Sequence, residues 1–260
     1  MNIYATSHLD NTLQSDITEL SRLCAKYDGT SEHIFLEEDI NALPKLPTYY
    51  IATTEPNNTL IGYMGVFTPD EYSCEVYCYV HPEYRNQHIF TRLSALLKKN
   101  LKNYGTDTIY FVAAPDSVTA TKVAQHLHAR HEPSDYILIN TLGNRIVFTG
   151  TNDTLYIEEL PHKEESEETV SIINDGIRIG ECGLFYLGSC ATIHGFEIFE
   201  KYRNKGFGKL FLNLILDFLA GKNITNVILH VTESNKAACH LYMTNGFHIK
   251  EQTDYYSINI

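Results

Sequence analysis

No stretch of the 260-residue chain approaches the roughly 20 consecutive apolar residues that a membrane-spanning helix needs. The first residues, MNIYATSHLDNTLQSD, lack both a basic n-region and an apolar h-region, so no secretory signal is expected. Six cysteines (Cys24, Cys74, Cys78, Cys182, Cys190 and Cys239) are scattered without a CxxC pair, which argues against zinc and dithiol chemistry. They read as reduced packing residues, with Cys74 and Cys78 on one face of a strand, and a reducing cytoplasmic location is expected. Positive charge is scarce: 20 Lys and Arg face 32 Asp and Glu, a formal net charge of −12. That disfavours nucleic acid and anionic membranes as partners, and is weakly compatible with a cationic or amine substrate. With 43% apolar and 20% charged residues the composition is neither disordered nor collagenous. The length is enough to bury a core without disulfide or metal staples, as one large domain or two modest ones.

What the chain does contain is a repeat. Shifted by 118 residues, LIGYMGVF from Leu60 falls on RIGECGLF from Arg178, and HPEYRNQHIF falls on FEKYRNKGFG without a gap. IYFVAAPDS from Ile109 meets VILHVTESN from Val227, and one inserted residue brings DYILIN from Asp135 onto DYYSIN from Asp254. The copies run from about 50 to 140 and from 168 to 260, a period that marks a duplicated domain rather than a solenoid unit.

Each copy carries the same order of signals. Strands flank a turn at Pro56–Asn58 or at Asn174–Gly176, where Asp-Gly is a strong hairpin signal. A longer strand ends at Val80 or Ile198, and a polar turn and a helix follow. In the second copy that helix carries an apolar stripe at Leu210, Phe211, Leu214, Ile215, Phe218 and Leu219. A strand (Val227–Val231), a helix (Asn235–Asn245) and a terminal strand complete the copy. The first copy has about 48 leading residues, with a helical pattern at Ile17, Leu20, Leu23 and Cys24. The second is preceded by LYIEEL, a strand pattern, and then by PHKEESEE, read as a solvated linker too short for two helices.

Two segments carry chemistry. Arg203-Asn204-Lys205-Gly206-Phe207-Gly208-Lys209 opens a helix with two glycines and three cations, which suits a pyrophosphate held on backbone N–H groups at the positive helix end. Taken alone it could be a Gly-rich helix start. A Rossmann fingerprint would need glycine at Phe211, and a Walker loop would need Ser or Thr at Leu210. In NKAACHLYMTNGF, Asn235 can cap a helix and Gly246 can end it. Tyr242 lies about two turns after Asn235 on nearly the same face, and alone it could equally be a packing residue.

Together, RxxGxG across a strand, turn and helix, then a strand, then NxxAxxLYxxxGF, resemble the GNAT superfamily of acetyl-CoA-dependent N-acetyltransferases. The match spans the whole second copy, and the first follows more weakly in the same order. The resemblance implies an α/β chain (an α+β mixed sheet) of two tandem GNAT-like domains, residues 1–145 and 146–260. Each would be a mostly antiparallel twisted sheet with splayed central strands and flanking helices. It further implies that Arg203, Asn204, Lys205, Gly206, Phe207, Gly208 and Lys209 hold the pyrophosphate of acetyl-CoA. The backbone of Ile198 and Phe199 would meet the pantetheine arm and thioester, Asn235 would lie on the cofactor side, and Tyr242 would protonate the departing thiolate. Glu197 and His230 both remain candidates for the general base, and no metal is implied.

The first copy departs from the pattern where it matters. His88 and Phe90 replace Gly206 and Gly208, and Tyr79 replaces Glu197. At the constant offset Ser117, Ala124 and His128 replace Asn235, Tyr242 and Gly246, with His126 as an alternative for the tyrosine if the register slips. A side chain at position 88 is expected to crowd the backbone away from a phosphate. The first copy therefore reads as degenerate and non-catalytic, the second as an N-acetyltransferase acting on a primary amine of a small molecule or peptide. The competing reading is a non-catalytic acyl-CoA-binding or interaction module. The two fused lobes suit a monomer standing in for a dimer, or a homodimer.

Overall fold

The computed structural model describes residues 1–37, 40–143, 154–160 and 166–260, and the chain divides into two compact units. Unit 1 is Met1–Pro133 with Thr253–Ile260, and unit 2 is Ser134–Gln252. The first repeat runs β1 (Asn2–Thr6), α1 (Asn11–Asp28), β2 (Tyr49–Thr53), β3 (Leu60–Phe67), β4 (Ser73–Val80), α2 (Ile89–Leu101), β5 (Thr108–Ala113), α3 (Val118–His126) and β6 (Arg130–Thr141). The second runs β7 (Leu155–Leu160), β8 (Glu167–Asn174), β9 (Ile177–Leu187), β10 (Cys190–Ile198), α4 (Phe207–Gly221), β11 (Asn226–Thr232), α5 (Lys236–Thr244) and β12 (His248–Asn259).

The closing strands are exchanged. In unit 1 the order β1-β2-β3-β4-β5 is completed by the end of β12, where Asp254–Asn259 pair antiparallel with Ala113–Thr108. In unit 2 the order β7-β8-β9-β10-β11 is completed by β6, where Asp135–Thr141 pair antiparallel with Thr232–Asn226. The units therefore depart from a cut at 145/146, because each repeat's last strand lies in the sheet of the other. The one parallel neighbour in each series is the fourth strand with the fifth, β4 with β5 and β10 with β11.

Local chemistry accounts for the elements. Asp10 caps α1 by accepting from the Leu13 N–H at 2.8 Å, and Gly29 ends it in the left-handed region. Asp175 and Gly176 both have positive φ between the paired residues Asn174 and Ile177, a two-residue turn whose twist matches its strands. Tyr49 and Ile51 point to one face of β2 and Tyr50 and Ala52 to the other, and all four are buried. Ile17, Leu20 and Cys24 of α1 cover the first face; Ile89, Leu93, Leu97 and Leu101 of α2 cover the second. In unit 2, Phe211, Ile215 and Leu219 of α4 pack on Ile172, Cys182, Leu184, Ile193 and Leu229. Among the described residues of unit 2 no helix precedes β8.

Three expectations need adjustment. Leu23 and Leu210, placed in apolar stripes, are 39% and 37% exposed at the stripe edges. All six cysteines are free, though Cys78 and Cys190 are only half-buried. Of PHKEESEE, residues 161–165 lie outside the described residues, but Glu167 and Glu168 belong to β8 rather than to a linker. Glu168 accepts from the Tyr186 hydroxyl at 2.6 Å and meets Lys222 at 2.8 Å, tying the end of α4 to the sheet. No described helix is long and apolar enough to cross a membrane.

The fourth strands differ in one respect. Between the pairs His194/Gly183 and Glu197/Glu181, two residues of β10 (Gly195 and Phe196) oppose the single Cys182 of β9, and Gly195 has φ +58. This is a β-bulge, and it resets the alternation. Ile193 and Ile198 are five residues apart, yet both point into the core. β4 pairs with β3 without interruption, so unit 1 has no bulge here.

Candidate functional site

The site is built around a split in the sheet of unit 2. β10 and β11 pair only over Cys190–Ile193 and Asn226–Leu229. Beyond that point β10 stays with β9 as far as Ile198, while β11 stays with β6 as far as Thr232. The facing backbone edges of 194–198 and 230–232 therefore do not pair with each other. The Phe199 N–H donates to the Ile179 carbonyl at 2.9 Å. By the alternation of an antiparallel ladder, Ile198 then turns its own N–H away from β9 and into the split. Of the two strand-end residues, Ile198 supplies the donor, and Phe199's N–H is already used.

The glycine turn closes one end of the split. Arg203 Nε donates to the Ile198 carbonyl at 2.7 Å, which anchors the turn to the strand end. Asn204 and Gly206 adopt φ +60 and +85, and α4 starts at Phe207. The N–H groups of Phe207, Gly208 and Lys209 have no carbonyl one turn back and face outward from the helix start. The residues fit a pyrophosphate. A Cβ at Gly206 would meet no protein atom within 4 Å, and one at Gly208 would make only ordinary contact, 3.6 Å from Leu241 Cδ2. Alanine at Gly208 would favour the helix by about 1 kcal/mol, so the protein's own packing does not call for glycine there. The room is at the surface, where Arg203, Asn204, Lys205 and Lys209 are exposed. Lys205 Nζ donates to the Lys201 carbonyl at 3.2 Å.

The second segment forms the wall. Asn235 caps α5, its side chain accepting from the Ala238 N–H at 3.1 Å. Tyr242 is buried against Phe196 of the bulge, edge-on with ring centroids 6.0 Å apart, and against Phe247 at 5.7 Å. Among the described residues its hydroxyl has no hydrogen-bond partner. Burial, with a smaller push from Cys182 and Cys239, raises its pKa to about 12. It is therefore a neutral, proton-bearing hydroxyl at any ordinary pH. The bulge thus brings Phe196 to the face where Tyr242 lies. The signal for it was Gly195 inside a strand pattern.

Asn140, from the exchanged strand β6, was not singled out from sequence. It is buried, and its Nδ2 donates at 3.0 Å to the Asn245 carbonyl that ends α5, beneath Gly246 at φ +92. Replacing Asn140 with alanine leaves that carbonyl unpaired and is expected to cost about 1–3 kcal/mol. Thermal melts of the full chain check this, and an unchanged Tm would make the bond dispensable.

Glu197 and His230 lie on the two strands that flank the split, on the face away from α4, and both are exposed. They do not bond to each other. Glu197 lies 3.8 Å from Arg203 Nη2. Among the described residues no group of three His, Cys, Asp or Glu is placed to hold a metal.

Unit 1 preserves the frame with different side chains. β4 and β5 pair only over Ser73–Val76 and Thr108–Phe111, so the split is there. Ser117 caps α3 as Asn235 caps α5, and α3 and α5 correspond residue for residue at the offset of 118. Ala124, buried, therefore stands in place of Tyr242, and His126 does not. His88 takes φ +59, so the left-handed turn persists without glycine. Where a Cβ at Gly206 would meet only open space, His88 carries an exposed side chain. The Tyr79 hydroxyl, in place of Glu197, bonds the backbone of His33 at 2.8 and 3.2 Å.

Comparison with known proteins gives the following. The model of the acetyltransferase (GNAT) family matches residues 15–131 and again 144–247. Among solved structures, a GCN5-related N-acetyltransferase from Sphaerobacter thermophilus aligns with TM-score 0.74 at 14% identity, covering 99% of this chain and 95% of that one. A tandem GNAT protein from the clavulanic acid biosynthesis pathway aligns with TM-score 0.65 at 12% identity, covering 99% and 98%. A glucosamine N-acetyltransferase region of a fungal multi-domain β-N-acetylglucosaminidase aligns with TM-score 0.70 at 11% identity, covering 99% of this chain and 38% of that one. At such identities the likeness is one of fold. No curated protein matches the chain.

Proposed function

The chain belongs to the acetyltransferase (GNAT) family, and from that membership we propose that unit 2 transfers an acetyl group from acetyl-CoA to a primary amine of a small molecule or peptide. One juxtaposition carries the reading. The split between β10 and β11 has a glycine turn open to an anion at its mouth and, in its wall, the proton-bearing hydroxyl of Tyr242, which has no hydrogen-bond partner among the described residues. Bound acetyl-CoA supplies a thioester for the amine to attack and a thiolate to leave. The Phe207–Lys209 N–H groups and the neighbouring cations hold the pyrophosphate. Ile198's N–H, turned into the split, stabilises charge on the thioester oxygen. Tyr242 holds the proton that the leaving sulfur needs, and Glu197 or His230 takes the proton from the acceptor ammonium.

The test is thiol release from acetyl-CoA against a broad panel of amines, with mass detection of the acetylated product. At least one amine is expected to give both signals. Tight coenzyme A binding with no turnover on any amine would instead leave a non-catalytic acyl-CoA-binding module. Failure to bind coenzyme A at all would overturn both.

A further inference from the structure

The arginine of the turn in unit 1 is already engaged. In both units its Nε donates to the carbonyl that ends the fourth strand, Arg203 to Ile198 at 2.7 Å and Arg85 to Val80 at 3.1 Å. That bond leaves the two terminal nitrogens for another partner. In unit 2 the Arg203 side chain is 55% exposed, with one carboxylate at 3.8 Å. In unit 1, Asp28 meets both nitrogens: Nη1 donates to Oδ1 at 2.7 Å and Nη2 to Oδ2 at 2.8 Å. This is the paired, planar fork by which arginine grips carboxylates and phosphates alike. The Thr119 hydroxyl, in the first turn of α3, donates to the same Oδ1 at 3.1 Å. The Arg85 and Asp28 side chains are only 20% and 17% exposed.

Asp28 is an awkward residue for its own helix. It is the last residue of α1, where carbonyl groups point at it and a carboxylate is disfavoured. Arg85 is what makes the position tenable. Burial pushes its pKa up, but the hydrogen bond and charge of Arg85, with the Thr119 hydroxyl, outweigh this and leave the carboxyl below its ordinary value. The backbone frame follows unit 2: the split is retained, the turn keeps φ +61 at Asn86 and +59 at His88, and a helix starts at Ile89, while Phe90, in place of Gly208, packs its ring against Phe111 at 5.7 Å.

We propose that Asp28 is an internal stand-in for a phosphate: it fills the anion position of a second turn of the unit 2 type, and together with His88 it keeps unit 1 closed to pyrophosphate-bearing nucleotides such as coenzyme A. Opening the position takes removal of both the carboxylate and the imidazole. The proposal concerns unit 1 and does not depend on catalysis in unit 2.

Coenzyme A is titrated by calorimetry into the full chain carrying Gly206→His, which silences unit 2, alone and combined with His88→Gly, Asp28→Asn, or both. No binding is expected with Gly206→His alone or with either single addition, and one coenzyme A per chain is expected with both. Binding with His88→Gly alone would show that Asp28 closes nothing. A folded chain with both additions and no binding would overturn the proposal. If both additions lower the melting point below the assay temperature, inorganic pyrophosphate is added during the melt: a raised Tm supports the proposal and an unchanged Tm overturns it. If Gly206→His leaves coenzyme A binding unaltered, the reading of unit 2 has failed. The count of sites on the native background then decides, with one site gained by Asp28→Asn plus His88→Gly supporting the proposal and none overturning it.

Discussion

Replacing Tyr242 by phenylalanine is expected to lower kcat by about 10²–10⁴, the usual contribution of a positioned general acid, with coenzyme A affinity and Tm nearly unchanged. The lack of a stability effect follows from the hydroxyl having no partner to lose, while the ring keeps its contacts with Phe196 and Phe247. The pH profile separates this role from a packing role. With a pKa near 12 the hydroxyl stays protonated across the working range, so the deficit should be constant with pH rather than appear on one limb. The same shift carries a sign for stability. The folded-state value lies above the ordinary 10.0, so this contribution is complete below pH 10 and is lost as pH rises toward 12. A Tyr242→Phe enzyme with native kcat would remove the residue from the mechanism.

Gly206→His is expected to abolish coenzyme A binding while the chain stays folded. Unit 1 already shows that histidine adopts the left-handed conformation at this point of the turn. A Cβ there meets no protein atom within 4 Å, and the backbone cost is about 1–2 kcal/mol for leaving the right-handed regions. The ligand loses far more. Two charge-assisted hydrogen bonds at about 1.5–3 kcal/mol each correspond to roughly 10²–10⁴ in affinity. Calorimetry with coenzyme A and a thermal melt of the same sample check both halves. Native affinity in the folded variant would mean that the turn only starts a helix.

The repeat made much of this legible. Because the shift of 118 holds from Arg85/Arg203 to Ser117/Asn235, the sequence sets Arg85 on Arg203 and Ser117 on Asn235 and leaves Ala124 or His126 for Tyr242, while the cap at Ser117, the anchoring role of the arginine and the choice of Ala124 come from the fold. The same shift concealed a compensated change. The second copy adds Gly195 as a bulge in β10 and has one residue fewer in the hairpin before it, so the alignment closes without a gap. Periodicity also says nothing about which sheet a strand enters. β6 and β12 look like the natural last strands of their own copies, and their exchange depends on partners far away in the chain. Asp28 was hidden for the same reason, since only the fold brings the end of α1 to the turn after β4. Phe199's N–H could not be assigned from sequence, because the ladder alternates and its phase depends on the pairing.

The exchanged strands are near-duplicates, DYILIN and DYYSIN, so a rival topology is written into the same chain: each copy could close on its own last strand. During synthesis β6 emerges with β5 already made and β11 still to come, and at about 5–20 residues per second that interval is on the order of 10 s. Pairing at home is the first option on offer. What disfavours it is the fit of individual side chains. Leu138, paired with Leu229, is fully buried in the core of unit 2, whereas at the matching pair of unit 1 β12 sets Tyr256 opposite Phe111. A nascent chain that pairs β6 with β5 would have to undo that pairing before β12 could take its place. Two topological isomers of one sequence, separated by a strand replacement, are therefore the natural misfolding hazard of this duplication.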